Sequence, residues 1–143
     1  MGLGRQDLSS KRHRVLLLEN DPEARHVILA LLKKADYAVV EAAGSAQAAA
    51  LLGRDGRFPA VSAIVCDIRA SQINGVEAPA YFRARHPRVP VIVTATYPDI
   101  ELAIALMKRG ITDYLLKPVS RNDLMMVIRS AVDRHTMVKR WSL

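Results

Sequence analysis

Asp67 ends an apolar run, Ala63-Ile64-Val65-Cys66, in the middle of the chain. Such a run reads as a strand buried on both faces. A carboxylate left inside that core would cost several kcal/mol. Asp67 therefore has to emerge at the carboxyl end of the strand, at the rim where open parallel sheets bind ligands. Three other apolar runs also stop at polar groups. Val15 to Leu18 ends at Glu19-Asn20, Val89 to Val93 ends at Thr94, and Asp113 to Leu116 ends at Lys117. Two carboxylates, an amide, a hydroxyl and an ammonium would meet at one edge. Each alone has an ordinary reading as a cap, a turn residue, a β-branched strand residue or a surface lysine. Their joint placement at four strand ends points to a ligand-binding edge.

The elements that must position these groups can be traced in order. After the first strand, Asp21-Pro22 starts a helix: Asp at the cap, Pro in the first turn, Glu23 near the positive end of the dipole. Ala24, Val27, Ile28, Leu31, Leu32 and Ala35 follow at helical spacing, and the helix is expected to end near Asp36. Tyr37 to Ala43 reads as a second strand, and Ala46 to Leu52 as an alanine-rich helix ended near Gly53. Arg54 to Pro59 is a loop, and another loop, Ile68 to Asn74, follows the central strand. A third helix is expected from Val76 to Arg85, stopping before Pro87. Val89 to Thr94 is the fourth strand. Ile100 to Lys108 is the fourth helix, opened by Tyr97-Pro98-Asp99 and closed by Gly110. After Asp113 to Leu116, a last helix starts near Arg121 with Ser120 as its cap and Leu124, Val127, Ile128, Ala131 and Val138 as its apolar stripe. Five strands alternating with five helices through short connections predict a doubly wound α/β fold with a parallel sheet.

The chain has 143 residues, of which 50% are hydrophobic. That suits one domain with a real core. No apolar run reaches the length of a membrane span. The amino end is polar and basic with no signal-peptide segment, which implies the cytoplasm. The one cysteine, Cys66, excludes a disulfide framework or a cysteine metal cluster and reads as a buried, inert thiol. The net charge is +7, with +3 in residues 1–14, +3 in residues 121–143 and near neutrality between. Such basic ends touch nucleic acid in some proteins, but more often they are solvated. We expect a basic extension over residues 1–13, a folded domain over 14–138 and a tail over 139–143.

The strand-end residues, taken with their neighbours, resemble the receiver domain of bacterial two-component response regulators. The motifs are Glu19-Asn20-Asp21-Pro22, the strand ending on Asp67, Gly75 eight residues on, Val93-Thr94-Ala95, and Tyr114-Leu115-Leu116-Lys117-Pro118. The resemblance covers about residues 13 to 135. It implies a flavodoxin-like (βα)5 fold with strand order 2-1-3-4-5. It also implies that Asp67 accepts a phosphoryl group from a histidine kinase or phosphotransfer protein, a reaction that needs positioning and charge neutralisation more than covalent machinery. A magnesium ion would be held by Glu19, Asn20, Asp67 and the backbone carbonyl of Arg69. Lys117 and Thr94 would contact the phosphoryl oxygens. The Lys117-Pro118 bond is expected cis, turning the lysine into the site. Thr94 and Tyr114 would form the switch, acting on a downstream effector or a second copy through the fourth helix, fifth strand and last helix. The chain would be a signalling module, not an enzyme.

Two positions depart from the family's pattern. An acidic pair is usual where Glu19-Asn20 stands, and an amide brings no charge to a metal. The loop after Asp67 often reads Met-Pro-Gly, where this chain has Ala70-Ser71-Gln72. They motivate an alternative: a receiver that keeps the fold as an interaction module without using phosphorylation. A flavin-binding protein of the same topology would need a phosphate cradle after the first strand, where acidic residues stand instead. Direct nucleic-acid binding is not favoured, since no helix-turn-helix follows the last helix.

Overall fold

The computed structural model describes residues 13–53 and 61–141, with side chains through His135. The loop expected over Arg54 to Pro59, the first twelve residues and the side chain of Val138 lie outside the described residues.

The apolar runs become five strands: β1 (Arg14–Leu18), β2 (Ala38–Glu41), β3 (Ala63–Asp67), β4 (Val91–Ala95) and β5 (Asp113–Leu116). The helices between and after them are α1 (Pro22–Lys34), α2 (Ser45–Leu52), α3 (Ala78–Arg85), α4 (Ile100–Lys108) and α5 (Arg121–Trp141). All pairings are parallel and the order is β2-β1-β3-β4-β5. With β1 and β3 adjacent, the chain winds outward in both directions, so their carboxyl ends form the topological switch point. Every residue of β3 and β4 is buried, which is why these strands are unbroken apolar runs rather than alternating ones.

Alternate residues of each strand feed two cores. Leu16, Leu18, Ile64, Cys66, Val91 and Val93 pack with Ala48, Ala78, Phe82 and Leu106 from α2, α3 and α4. Val15, Leu17, Ala63, Val65 and Ile92 pack on the opposite face with Ile28 and Leu32 of α1 and Leu124, Ile128 and Ala131 of α5. This period of two fixes which residues the sheet presents at its rim.

The caps form as the sequence predicts. The Asp21 carboxylate accepts from the Glu23 N–H at 3.0 Å, Asp99 accepts from the Leu102 N–H at 3.0 Å, and the Ser120 hydroxyl accepts from the Asp123 N–H at 3.1 Å. Several boundaries differ. The third helix starts at Ala78, not Val76, because Ile73 and Val76 exchange backbone hydrogen bonds across Asn74-Gly75. Both central residues have positive φ (51° and 78°), the geometry of a tight two-residue turn. The fourth strand starts at Val91, since Pro90 lacks an N–H and contributes only its carbonyl, to Ile64. The second strand is confined to Ala38–Glu41. The first helix ends at Lys34, and Asp36 then takes the left-handed conformation (φ 67°) usually left to glycine.

Candidate functional site

The ends of β1, β3, β4 and β5 bring Glu19, Asp67, Thr94 and Lys117 into direct contact. Asp67 closes β3 in register beside Thr94 of β4. Glu19 follows β1 by one residue. Asp67 and Thr94 are wholly buried and Glu19 is 2% exposed. The Lys117 ammonium lies 2.6 Å from Glu19 Oε2 and 3.1 Å from Asp67 Oδ2. The Thr94 hydroxyl donates to Glu19 Oε1 at 2.7 Å. Glu19 is thus the hub of the cluster. The Lys117 N–H donates to the Ala95 carbonyl, and the Lys117–Pro118 peptide bond is cis.

Backbone donors complete the shell, and sequence reasoning did not find them because every residue carries an N–H. The Arg69 N–H donates to Asp67 Oδ1 at 2.9 Å and the Asn20 N–H to Asp67 Oδ2 at 3.2 Å. The Asp21 N–H reaches Glu19 Oε2 at 3.2 Å. Two buried carboxylates share one ammonium, and their environments push them apart. Burial, then the hydrogen-bonding contact with Asp67, raises Glu19 above the usual carboxylate range, against the pull of Lys117 and Thr94. Burial also pushes Asp67 upward, but hydrogen bonds from the Glu19 carboxyl, the Arg69 N–H and Lys117 outweigh it and hold Asp67 low. Of the two, Asp67 is the one whose surroundings favour the charged form.

Oxygen donors suited to a hard cation surround this point: the carboxylates of Glu19 and Asp67 and the Arg69 carbonyl. Among the described residues no cluster of three or more His, Cys, Asp or Glu side chains is arranged around a metal position. Asn20, which follows Glu19, brings an amide in place of a carboxylate. Its side-chain amide donates to the Arg69 carbonyl at 3.3 Å, a bond that a carboxylate could not make. The donor set fits a magnesium ion, with the amide hydrogen bond competing for one ligand. A pocket of ≈ 310 Å³ opens beside Lys117, lined by Asp21, Ala24, Val27, Thr96 and Pro118 among others.

A family model described as the response regulator receiver domain matches residues 15–129. This chain belongs to that family. The receiver is 30% identical over 121 residues to an NtrX-like response regulator of Rickettsia bellii, covering 83% of this chain and 24% of that protein. It is 26% identical over 118 residues to the transcriptional regulatory protein ZraR of Escherichia coli K12, covering 82% of this chain and 26% of that protein. The chain thus spans about a quarter of the length of these relatives. Among solved structures, the receiver domain of the sensor histidine kinase PA1611 from Pseudomonas aeruginosa is 28% identical, with a TM-score of 0.69 over 85% of this chain and 98% of that one. That domain carries a magnesium ion in its active-site cleft. A receiver domain from Clostridium thermocellum shares the fold at 22% identity, with a TM-score of 0.76 over 88% of this chain and 98% of that one.

Away from the carboxylates, the receiver places Tyr114 in β5 alongside Val93. The Tyr114 ring packs against the core cluster beneath α3 and α4, and its hydroxyl is buried without a hydrogen-bond partner. The ring also lines a groove of ≈ 400 Å³ with Pro98, Ile100, Ile104, Met107 and Leu116. The last four are exposed large apolar side chains. No helix of the described residues is long and apolar enough to cross a membrane.

Proposed function

We propose that this receiver takes a phosphoryl group on Asp67 from the phosphohistidine of a histidine kinase or phosphotransfer protein. The observation that carries the reading is the Lys117 ammonium held on Asp67 Oδ2 at 3.1 Å at the carboxyl edge of the sheet. An Asp67 oxygen would attack phosphorus as the P–N bond breaks. The bonding pair would return to the imidazole nitrogen, which would take up a proton. Lys117 would follow the phosphoryl oxygens, and Thr94 would exchange its bond to Glu19 for one to the same group. Glu19, Asp67 and the Arg69 carbonyl would hold magnesium, with Asn20 as an uncharged fourth contributor. Bound there, the ion would neutralise charge between the aspartate and the phosphoryl oxygens. Thr94 and Tyr114 lie on adjacent strands, and the Tyr114 ring borders the apolar groove on α4 and β5. That groove is the face through which a downstream effector or a second copy would sense the site. The folded unit over 14–138, flanked by the basic extension and the tail, would be the signalling module of this system, acting in the cytoplasm.

The test is incubation with acetyl phosphate and magnesium, read by intact mass and by phosphoryl transfer from a kinase. Wild type should gain one phosphoryl mass and Asp67→Asn none. Uptake by the Asn variant at the wild-type level would move the acceptor elsewhere.

A second reading, a phosphorylation-independent interaction module, has one specific support. The Asn20 amide bonds the Arg69 carbonyl at 3.3 Å, so the site supplies internally a contact that the metal would otherwise make. Failure of wild type to take up phosphate, with uptake by Asn20→Asp, would favour this reading.

A further inference from the structure

At the opposite edge of the sheet, where β4 and β5 begin, a second pocket of ≈ 230 Å³ is lined by Arg83, Arg88, Arg134, His135 and Thr112 together with Pro87, Val89, Pro90 and Ile111. Arg83 of α3, Arg88 of the loop after it and Arg134 of α5 line it together, and no carboxylate does. None of the ion pairs among the described residues involves these arginines. Arg83 is fixed in place: its Nε donates to the Gly110 carbonyl at 2.8 Å and its Nη1 to the Pro87 carbonyl. The His135 ring is set by the Arg88 carbonyl at 2.9 Å.

Bases in the last turn of a helix often do no more than offset its dipole. That explains Arg83, Arg85 and Lys108 one at a time, but not Arg88 and Arg109, which lie outside the helices, nor the lining of one pocket by three arginines. Two histidines at this edge are also disfavoured in their protonated forms, chiefly by burial. His13 is held below its ordinary range by burial and then by His135, against Asp133, and His86 by burial and then by Arg85. β1 also begins here, at Arg14, and α5 continues past His135 to Trp141.

We infer that this basic pole binds the phosphate backbone of nucleic acid without reading its sequence. Forked guanidinium donors suit phosphate oxygens better than ammonium groups do. A pocket of this size takes one phosphate, and exposed Arg85, Lys108 and Arg109 around it suit a chain of them. A protein partner would want aromatic or aliphatic anchors. Among the described residues the exposed large apolar side chains are Val27, Tyr97, Ile100, Ile104, Met107, Leu116 and Met126, and none lines this pocket. The sequence alone argued against nucleic acid because it shows no helix-turn-helix. Backbone binding requires only placed positive charge, and the folding of the chain supplies it.

Fluorescence anisotropy of a labelled 20-base-pair duplex and of a single strand of the same length tests the inference, using the full chain at several salt concentrations. Binding with a Kd of about 1–100 µM at low salt is expected, weakening steeply with salt. R88E/R134E should weaken it about tenfold or more and lower the salt slope by about 2, as two phosphate contacts are lost. The control R25E/R121E changes the net charge equally at two helix starts outside this pocket and should stay within about twofold. Circular dichroism of both variants, and of the milder R88Q/R134Q, separates lost contacts from lost fold. Equal weakening by the two charge reversals, absence of binding at 50 mM salt, or equally tight retention of polyglutamate would each overturn the inference.

Discussion

At the residue scale the cluster is an imbalance: Glu19 and Asp67 are both buried, and Lys117 alone is set against them. Removing the ammonium leaves two uncompensated acids. Lys117→Met is therefore expected to destabilise the fold by about 3 kcal/mol at pH 7. Asp67→Asn removes the excess charge instead and should leave stability unchanged or raise it by on the order of 1 kcal/mol. Combining the two should recover part of the Lys117→Met loss. Urea midpoints of the four proteins form the cycle, and strict additivity would mean that the ammonium does not serve Asp67. The Asn20 amide makes a separate prediction. Asn20→Asp replaces a donor to the Arg69 carbonyl with a charged oxygen. Magnesium affinity should rise by roughly ten- to a hundredfold, about 1–3 kcal/mol, less than the gross charge term because it adds repulsion from Glu19 and Asp67. Calorimetric titration of both proteins decides it, and equal affinities would show that Asn20 is not a missing ligand. The meeting of Glu19, Asp67, Thr94 and Lys117 was legible because strand-end position follows from hydrophobic runs. The Asn20–Arg69 bond was not, since which atom of an amide faces which carbonyl depends on loop geometry between residues 49 positions apart.

At the element scale, the apolar runs carried the strands and the layers because each has one length and one period, while the strand order came from the resemblance to receiver domains. It misplaced the start of α3 because Val76 continues an apolar pattern that reads as helix, while the Asn74-Gly75 turn spends Val76 on a bridge to Ile73. It also gave no sign that Arg83 would lean on Gly110, 27 residues away. These two glycines differ in a way that can be measured. Both have positive φ, 78° at Gly75 and 96° at Gly110. A Cβ on Gly75 meets nothing within 4 Å, whereas one on Gly110 would come 2.7 Å from Arg83 Nε. Gly75→Ala should cost about 1 kcal/mol from backbone conformation alone. Gly110→Ala should cost more, about 2 kcal/mol, because it also displaces the Arg83 hydrogen bond. It should weaken duplex binding as well, whereas Gly75→Ala should not. Similar denaturation midpoints for both variants would remove Arg83 from the account.

At the scale of the whole molecule, the charge is partly polarised along the strands. Glu19, Asp21, Glu23, Asp67, Asp99 and Glu101 stand where strands end and helices begin, with Arg25, Arg69, Lys117 and Arg121 among them, whereas Arg83, Arg85, Arg88, Lys108 and Arg109 gather where helices end and strands begin, with Asp36 and Asp113 among them. Composition gave only the net +7, because a sum holds no direction. The two perturbed histidines at the basic edge tie this to pH. Both fold in a form that disfavours protonation, so their pKa values lie below the ordinary 6.5. The unfolded chain then binds more protons through that window. Their contribution to stability is present above pH 6.5 and is lost as pH falls through the folded values. Thermal midpoints should therefore drop between pH 7 and pH 5, and His13→Gln should flatten that slope. An unchanged slope in the variant would assign the acid sensitivity to other groups.

Cys66 gives the sheet a clock. Its thiol is wholly buried in β3, between Leu18 and Val93 on the neighbouring strands, and burial together with the charges of Asp67 and Glu19 keeps it protonated. A sulfhydryl reagent can reach it only when the central strands part, so its modification rate counts openings of the whole domain. Anything that settles on the neighbouring Asp67 must slow that count by its own occupancy. Magnesium with a beryllofluoride analogue should lengthen the half-time of thiol modification in wild type and leave Asp67→Asn untouched. One sulfur atom, with no chemical part in signalling, would then report from inside the sheet whether the adjacent carboxylate is engaged.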